Sequence, residues 1–385
     1  MTDAPIAFID LAAQQRRIRD RVDQAIGRVL DHGRYVMGPE IETFEGDLAR
    51  FAGLPHALAC ASGTDALALP LMAWGLRPGD AVFCPSHTFV ATAEVIAWLG
   101  ASPVFIDVLP DTHCMDPASL ERAIEAVVKE GRLTPRAVIA VDLFGQMADY
   151  PAIRPICDAY GLKLISDAAQ GFGSTRDGEH SGRWADVVAT SFFPAKPLGC
   201  YGDGGATLVH DPELDETLRS LRNHGANAGD RYDNIRIGMN GRMDTIQAAI
   251  LIEKLAIFPD EIERRNAIAD RYADELADIV SVPRIADGVV STWAQYVVTL
   301  PEGVSRDGVM ARLSDQGVPT AIYYPRPIHS QSAYAHYPVE NGRLPVTEDL
   351  VARVLALPMH PYLEADQQSR VIDAVRGALP RAVAA

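Results

Sequence analysis

The sequence is poor in several things that would have announced a function. It has only five cysteines, Cys60, Cys84, Cys114, Cys157 and Cys200, scattered and free of C-x-x-C spacing, so neither a structural metal nor a disulfide framework is expected. Basic residues are in deficit: 35 Lys and Arg against 51 Asp and Glu leave a net charge of -16. No Lys/Arg run is long enough to lay a basic stripe along a nucleic acid, so polyanion binding is excluded. Long hydrophobic runs are missing too. The least polar window, His87 to Ile106, is interrupted by Glu94 and divided by Gly100, Ser102 and Pro103 into a helix and a strand, which leaves no membrane span. The N-terminal stretch carries Asp3 and Asp10 and does not read as a signal peptide. Reduced thiols in a cytoplasmic protein are the expectation.

What is present is an ordinary globular composition, with 48% apolar and 22% charged residues and no internal repeat. At 385 residues the chain exceeds one compact domain. Short β-branched runs alternate with amphipathic stretches, which implies an α/β fold with a large, mostly parallel sheet covered by helices. The strand-like runs are Ala81 to Phe83, Val104 to Ile106, Ala137 to Val141, Lys163 to Ser166, Val187 to Ser191 and Ala206 to Val209. One helix is well signposted, with Asp116 as N-cap, Pro117 in the first turn, Leu120, Ile124 and Val127 on one face and Gly131 at its end. From Met243 the pattern changes to long helices, Met243 to Ile257 and Glu261 to Ile279, separated by Pro259. This predicts a large domain over residues 1–255, with an N-terminal helix, and a small α+β domain over 256–385. The small domain is expected to hold strands at Gln295 to Thr299 and Thr320 to Tyr324.

In an open α/β sheet ligands sit beyond the carboxyl ends of the strands, and three features gather there. Gly63 and Thr64 open a helix after a strand, a place where free N–H groups and the helix dipole suit a phosphate as well as a simple cap. Pro70 inside that helix is expected to kink or shorten it. Asp167 ends a buried strand, either as a cap for the next turn or as a charge aimed into the crevice, where it would need a cationic partner. Lys196 sits just past another strand, in Ser191-Phe192-Phe193-Pro194-Ala195-Lys196-Pro197, on a loop that Pro194 and Pro197 keep from forming a helix. Alone it reads as a surface charge; its company raises it.

These three motifs in this order resemble the DegT/DnrJ/StrS sugar aminotransferases, of the fold type I, aspartate aminotransferase-like architecture. Further matches are Gly33 to Glu40, Pro85 to Thr92, Arg222 to Gly225, Gly238 to Asp244 and Tyr324 to His329, so the resemblance runs from Phe8 to Tyr362. Within the family the chain looks most similar to transaminases acting on UDP-2-acetamido-2-deoxy-3-oxo-glucuronate for O-antigen sugars. The resemblance implies pyridoxal 5'-phosphate as cofactor, L-glutamate as amino donor and a nucleotide-linked keto-sugar as acceptor. It makes Lys196 the residue that binds the cofactor covalently, and Asp167 the partner of the pyridine nitrogen. Gln170 would hold the ring hydroxyl and Phe89 would stack on the ring. Gly63, Thr64 and Ser191 would hold the phosphate, with Asn240 reaching over from a second subunit of a homodimer. Arg242, Tyr323, Tyr324 and His329 would contact the sugar, Arg242 facing its carboxylate, with Tyr323 standing where those relatives have histidine. Two other readings are a pyridoxamine-dependent sugar dehydratase, which typically has histidine in place of the lysine, and a silent regulatory protein that keeps the cofactor as a signal. Retention of Lys196, Asp167 and Phe89 argues against both.

Overall fold

The computed structural model describes residues 5–227, 229–230 and 232–379, so Asp3 of the acidic N-terminal pair lies outside them. The strands in chain order are β1 (His56–Cys60), β2 (Asp80–Pro85), β3 (Ser102–Ile106), β4 (Thr134–Val141), β5 (Lys163–Asp167), β6 (Thr175–Arg176), β7 (Val187–Ser191), β8 (Gly205–Val209), β9 (Val289–Val290), β10 (Tyr296–Thr299) and β11 (Val354–Leu357). Seven of them form the main sheet in the order β1-β8-β7-β5-β4-β2-β3. The sheet is mostly parallel, as its alternation with helices implied, and β8, which runs against its neighbours β1 and β7, makes it mixed. β2 is buried along its whole length and β5 and β7 along most of theirs, with apolar centres such as Ala81–Cys84, Leu164–Ile165 and Val187–Ala189. Because β1, β5 and β7 point the same way, the residues that follow them emerge at one edge.

Local chemistry explains most of the elements and corrects some expectations. Asp116 caps the helix Pro117–Glu130 by accepting from the Ala118 N–H, and Gly131 closes it in the left-handed conformation. Pro70 neither kinks nor shortens its helix, which runs Gly63–Ala73 without a break. The carbonyl that Pro70 leaves without a donor, that of Ala66, accepts instead from the Thr207 hydroxyl of β8 at 3.1 Å, both groups being buried. The two long helices are separate as expected, Thr245–Leu255 and Phe258–Leu276, but the break falls at Ala256 and Ile257, ahead of Pro259. The helix Phe258–Leu276 starts before it and holds it in the first turn, where a missing N–H costs nothing. Thr320 to Tyr324 is not a strand: pairing stops at one bridge, Ala321 to Ala356, ahead of Pro325 and Pro327, which offer no N–H.

The helix Phe258–Leu276 serves two cores. Its start, Phe258 and Ile262, packs with Leu251, Leu255 and the β8 residue Leu208 in the core beside the main sheet. Its end, Ile268, Tyr272 and Leu276, packs with β10, β11 and the helix Ala365–Ala378. Ile328, Tyr334 and Leu344 return to the core under the helix Gly63–Ala73. The segment containing Tyr323 and Tyr324 is thereby carried from the C-terminal unit to the edge of the main sheet.

Candidate active site

A cavity of about 420 Å³ opens at that edge. It is lined by Gly63 and Thr64 after β1, Phe89 and Thr92 after β2, Asp167 and Gln170 from the end of β5, Ser191 and Lys196 from the end of β7, and Tyr323 and Tyr324. A larger cleft of about 550 Å³, with Arg34, Glu45, His56, Arg219 and Arg222 on its walls, lies apart from these residues. Two of its arginines, Arg219 and Arg222, are already paired with Glu45.

Asp167 is buried at 5% exposure, with Oδ1 accepting from the Ala169 N–H at 3.2 Å and Oδ2 from the Thr92 hydroxyl at 2.8 Å. Burial raises its pKa, opposed by those two donors and by the charge of Lys196. Burial in turn lowers the pKa of Lys196, opposed by Asp167. A lysine brought down in this way keeps more of its amine free as a nucleophile and proton carrier. Asp167 is thus more than a cap: it is a desolvated anion in a cavity.

Gln170 is held at both ends of its amide. Its carbonyl accepts from the Phe144 N–H at 2.8 Å, and its nitrogen donates to the Tyr324 hydroxyl at 3.0 Å, leaving one amide hydrogen for a ligand. Phe89 projects at 53% exposure and lies 6.0 Å, ring to ring, from Tyr324. At the other end of the cavity Ser62 caps the helix Gly63–Ala73 by accepting from the Asp65 N–H at 3.1 Å, which frees the N–H groups of Gly63 and Thr64 for an anion. Any side chain at Gly63 would come within 2.6 Å of the Ser191 Cβ, so only glycine lets the helix start close on that serine. The Lys196 loop is braced from beneath by the buried Lys254, whose ammonium donates to the Gly199 carbonyl at 2.5 Å and lies 4.2 Å from the centre of the Tyr201 ring.

These donors and acceptors fit pyridoxal phosphate: a phosphate cradle at Gly63, Thr64 and Ser191, a buried carboxylate for a ring nitrogen, an amide hydrogen for a ring hydroxyl and a lysine for the aldehyde. Three of the expected residues are not brought to this chain's cavity. Asn240 is exposed and joined to Asn223 by one backbone bridge. Arg242 lies beside Cys60 at the end of β1 and donates to the Asn223 Oδ1 at 2.7 Å. His329 bonds Ser86 through its Nδ1 at 2.8 Å and faces Glu348 at 4.0 Å, behind the wall of the cavity. Reading the sequence for chemistry missed the roles of Thr92 and of Tyr324 toward Gln170. A threonine in the first turn of a helix signals only a cap, and nothing local marks a partner 75 residues away.

Comparison with known proteins agrees with this geometry. The profile of the DegT/DnrJ/EryC1/StrS aminotransferase family matches residues 16–376. The chain is 46% identical over 362 residues to the UDP-2-acetamido-2-deoxy-3-oxo-D-glucuronate aminotransferase of Pseudomonas aeruginosa, covering 93% of this chain and 96% of that protein. It superposes on a DegT DnrJ EryC1 StrS aminotransferase from Brucella abortus with a TM-score of 0.94 and 53% identity, covering 97% of this chain and 99% of that one. The crystal structure of S. venezuelae DesV in complex with a ketimine intermediate gives a TM-score of 0.90 at 40% identity, over 97% of this chain and 98% of that one.

Proposed function

The chain belongs to the DegT/DnrJ/EryC1/StrS aminotransferase family and is a pyridoxal-phosphate-dependent aminotransferase, and from that premise we propose that it moves the amino group of L-glutamate to C3 of a UDP-linked keto-sugar. The acceptor we favour is UDP-2-acetamido-2-deoxy-3-oxo-glucuronate, made in the cytoplasm for a cell-surface polysaccharide. The observation that carries the reading is the meeting of Lys196, Asp167 and the Gly63–Thr64 helix start in one cavity.

Pyridoxal phosphate, when bound, supplies the electron sink that makes the donor Cα–H acidic. The protein does the rest. The N–H groups of Gly63 and Thr64 hold the phosphate, and the Asp167 carboxylate keeps a proton on the pyridine nitrogen. Gln170 fixes the ring hydroxyl, and Phe89 with Tyr324 excludes water from one side. Lys196 anchors the cofactor and, once released, its amine carries the proton taken from the donor Cα. Because donor and acceptor use the same cavity in turn, the cycle is ping-pong.

The same reading takes the functional unit as a homodimer in which Asn240 and Arg242 of each chain complete the partner's site. The segment before them supports this, since Tyr232, Ile235 and Ile237 are exposed at 78%, 53% and 93%, an apolar stretch that a second chain would cover. All five cysteines are free and buried, which suits a reducing compartment, and among the described residues no helix is long and apolar enough to cross a membrane. A panel of UDP- and dTDP-linked keto-sugars tested with glutamate decides the substrate. Turnover of the 3-oxo-glucuronate well above that of 6-deoxy-3-keto-sugars is the expected result, and equal turnover of the 6-deoxy compounds removes the uronate assignment.

A further inference from the structure

Thr92 stands in the first turn of the helix Ala91–Trp98, where a threonine hydroxyl ordinarily serves the local backbone as a cap. This one does not. It crosses to β5 and donates to Oδ2 of Asp167 at 2.8 Å, while its own oxygen lies 3.1 Å from the Thr88 hydroxyl. A hydroxyl has one hydrogen, and that of Thr92 is spent on the carboxylate, so Thr88 is the donor to Thr92 and the three groups form one directed chain. All three are buried, at 3%, 1% and 5% exposure for Thr88, Thr92 and Asp167.

We infer that Thr92 is a positioning residue, whose hydroxyl fixes the Asp167 carboxylate as an anion with its remaining lone pairs turned to the cofactor's ring nitrogen. The inference rests on the reading of Asp167 as partner of that nitrogen. A carboxylate offers about four lone-pair sites, and Thr92 and Ala169 take one on each oxygen. What remains suits one further donor. The turn that carries Thr92 also carries Phe89, whose carbonyl accepts from the Thr92 N–H at 3.3 Å, so one turn sets both the face and the nitrogen of the ring. Without the hydroxyl, burial acts on Asp167 with one fewer opposing donor, and the proton shared with the ring shifts toward the carboxylate.

The test uses the apoprotein and 15N-labelled pyridoxamine phosphate, reading its Kd and the 15N chemical shift of the ring nitrogen. Thr92→Val keeps the volume and loses the hydroxyl; Thr92→Ser keeps the hydroxyl and loses the methyl. The expected result is about tenfold weaker binding and a shift toward unprotonated pyridine in Thr92→Val, with Thr92→Ser within about threefold of wild type. A packing role gives the opposite order, serine worse than valine, with the ring nitrogen protonated in both, and that overturns the inference. If Thr92→Val does not fold, Thr92→Ala against Thr92→Ser yields the same contrast in the nitrogen shift. Asp167→Asn separates the two levels. Loss of the ring proton there but not in Thr92→Val removes only the role of Thr92, whereas a protonated ring in Asp167→Asn removes the reading of Asp167 itself.

Discussion

On the proposed reading, Arg242 is the residue on which the choice of sugar turns. Its guanidinium is half-buried, has no carboxylate partner among the described residues, and has its Nε buried without a hydrogen bond. Only the neutral Asn223 oxygen holds it. A planar cation kept in place by a neutral group, with a donor to spare, is prepared for a carboxylate that binds both of its edges. Arg242→Ala is therefore expected to lower kcat/KM on the 3-oxo-glucuronate by about 2 to 5 kcal/mol while leaving the glutamate half-reaction untouched, as seen in the cofactor's visible spectrum. Unchanged uronate kinetics in that variant contradict the role. At this scale the sequence was legible where chemistry restricts the residue type. Lys196 between two prolines and Asp167 at a strand end each had a plain reading, as a surface charge or a cap, and were singled out by standing together past the ends of neighbouring strands. Arg242 could be named only through resemblance, and its actual neighbour, Asn223, was not foreseen because two loops bring the pair together.

The elements are set by rules that the sequence displays, until tertiary contacts replace a missing local bond. Asp116, Pro117 and Gly131 mark a helix to the residue because each acts on its own backbone. Pro70 misleads because the compensation comes from β8, where Thr207 lends the Ala66 carbonyl the hydrogen bond that proline cannot. Thr207→Val should cost about 1 to 3 kcal/mol in chemical denaturation, the usual penalty for a buried acceptor left without a donor. Adding Pro70→Ala returns an N–H to that carbonyl, so the double variant should lose less than the sum of the single ones. Strict additivity would mean that the hydroxyl and the proline do not share the carbonyl. This helix begins at the phosphate cradle, so the exchange that stabilises it also lets Gly63 and Thr64 present their N–H groups.

Across the whole molecule, alternation of strands and helices was enough to give the largely parallel sheet and the edge where the cavity opens, though not the antiparallel β8. The division of labour after residue 256 was not, since one helix, Phe258–Leu276, ends one core and begins another, and apolar periodicity does not say which core a face will meet. The return of the Tyr323–Tyr324 segment to the main sheet likewise depends on Ile328, Tyr334 and Leu344 packing far from their own strands. Two chain-distant units thus build one cavity, in which a lysine, an anion, a phosphate cradle and an aromatic wall serve a single transfer of nitrogen. The most direct measurement of that transfer supplies the purified protein with pyridoxal phosphate, 15N-labelled L-glutamate and UDP-2-acetamido-2-deoxy-3-oxo-glucuronate, and follows the label by mass spectrometry. The account predicts 15N on the sugar in the wild-type reaction and none with Lys196→Ala; label that reaches no keto-sugar nucleotide, or that reaches it equally well without Lys196, contradicts it.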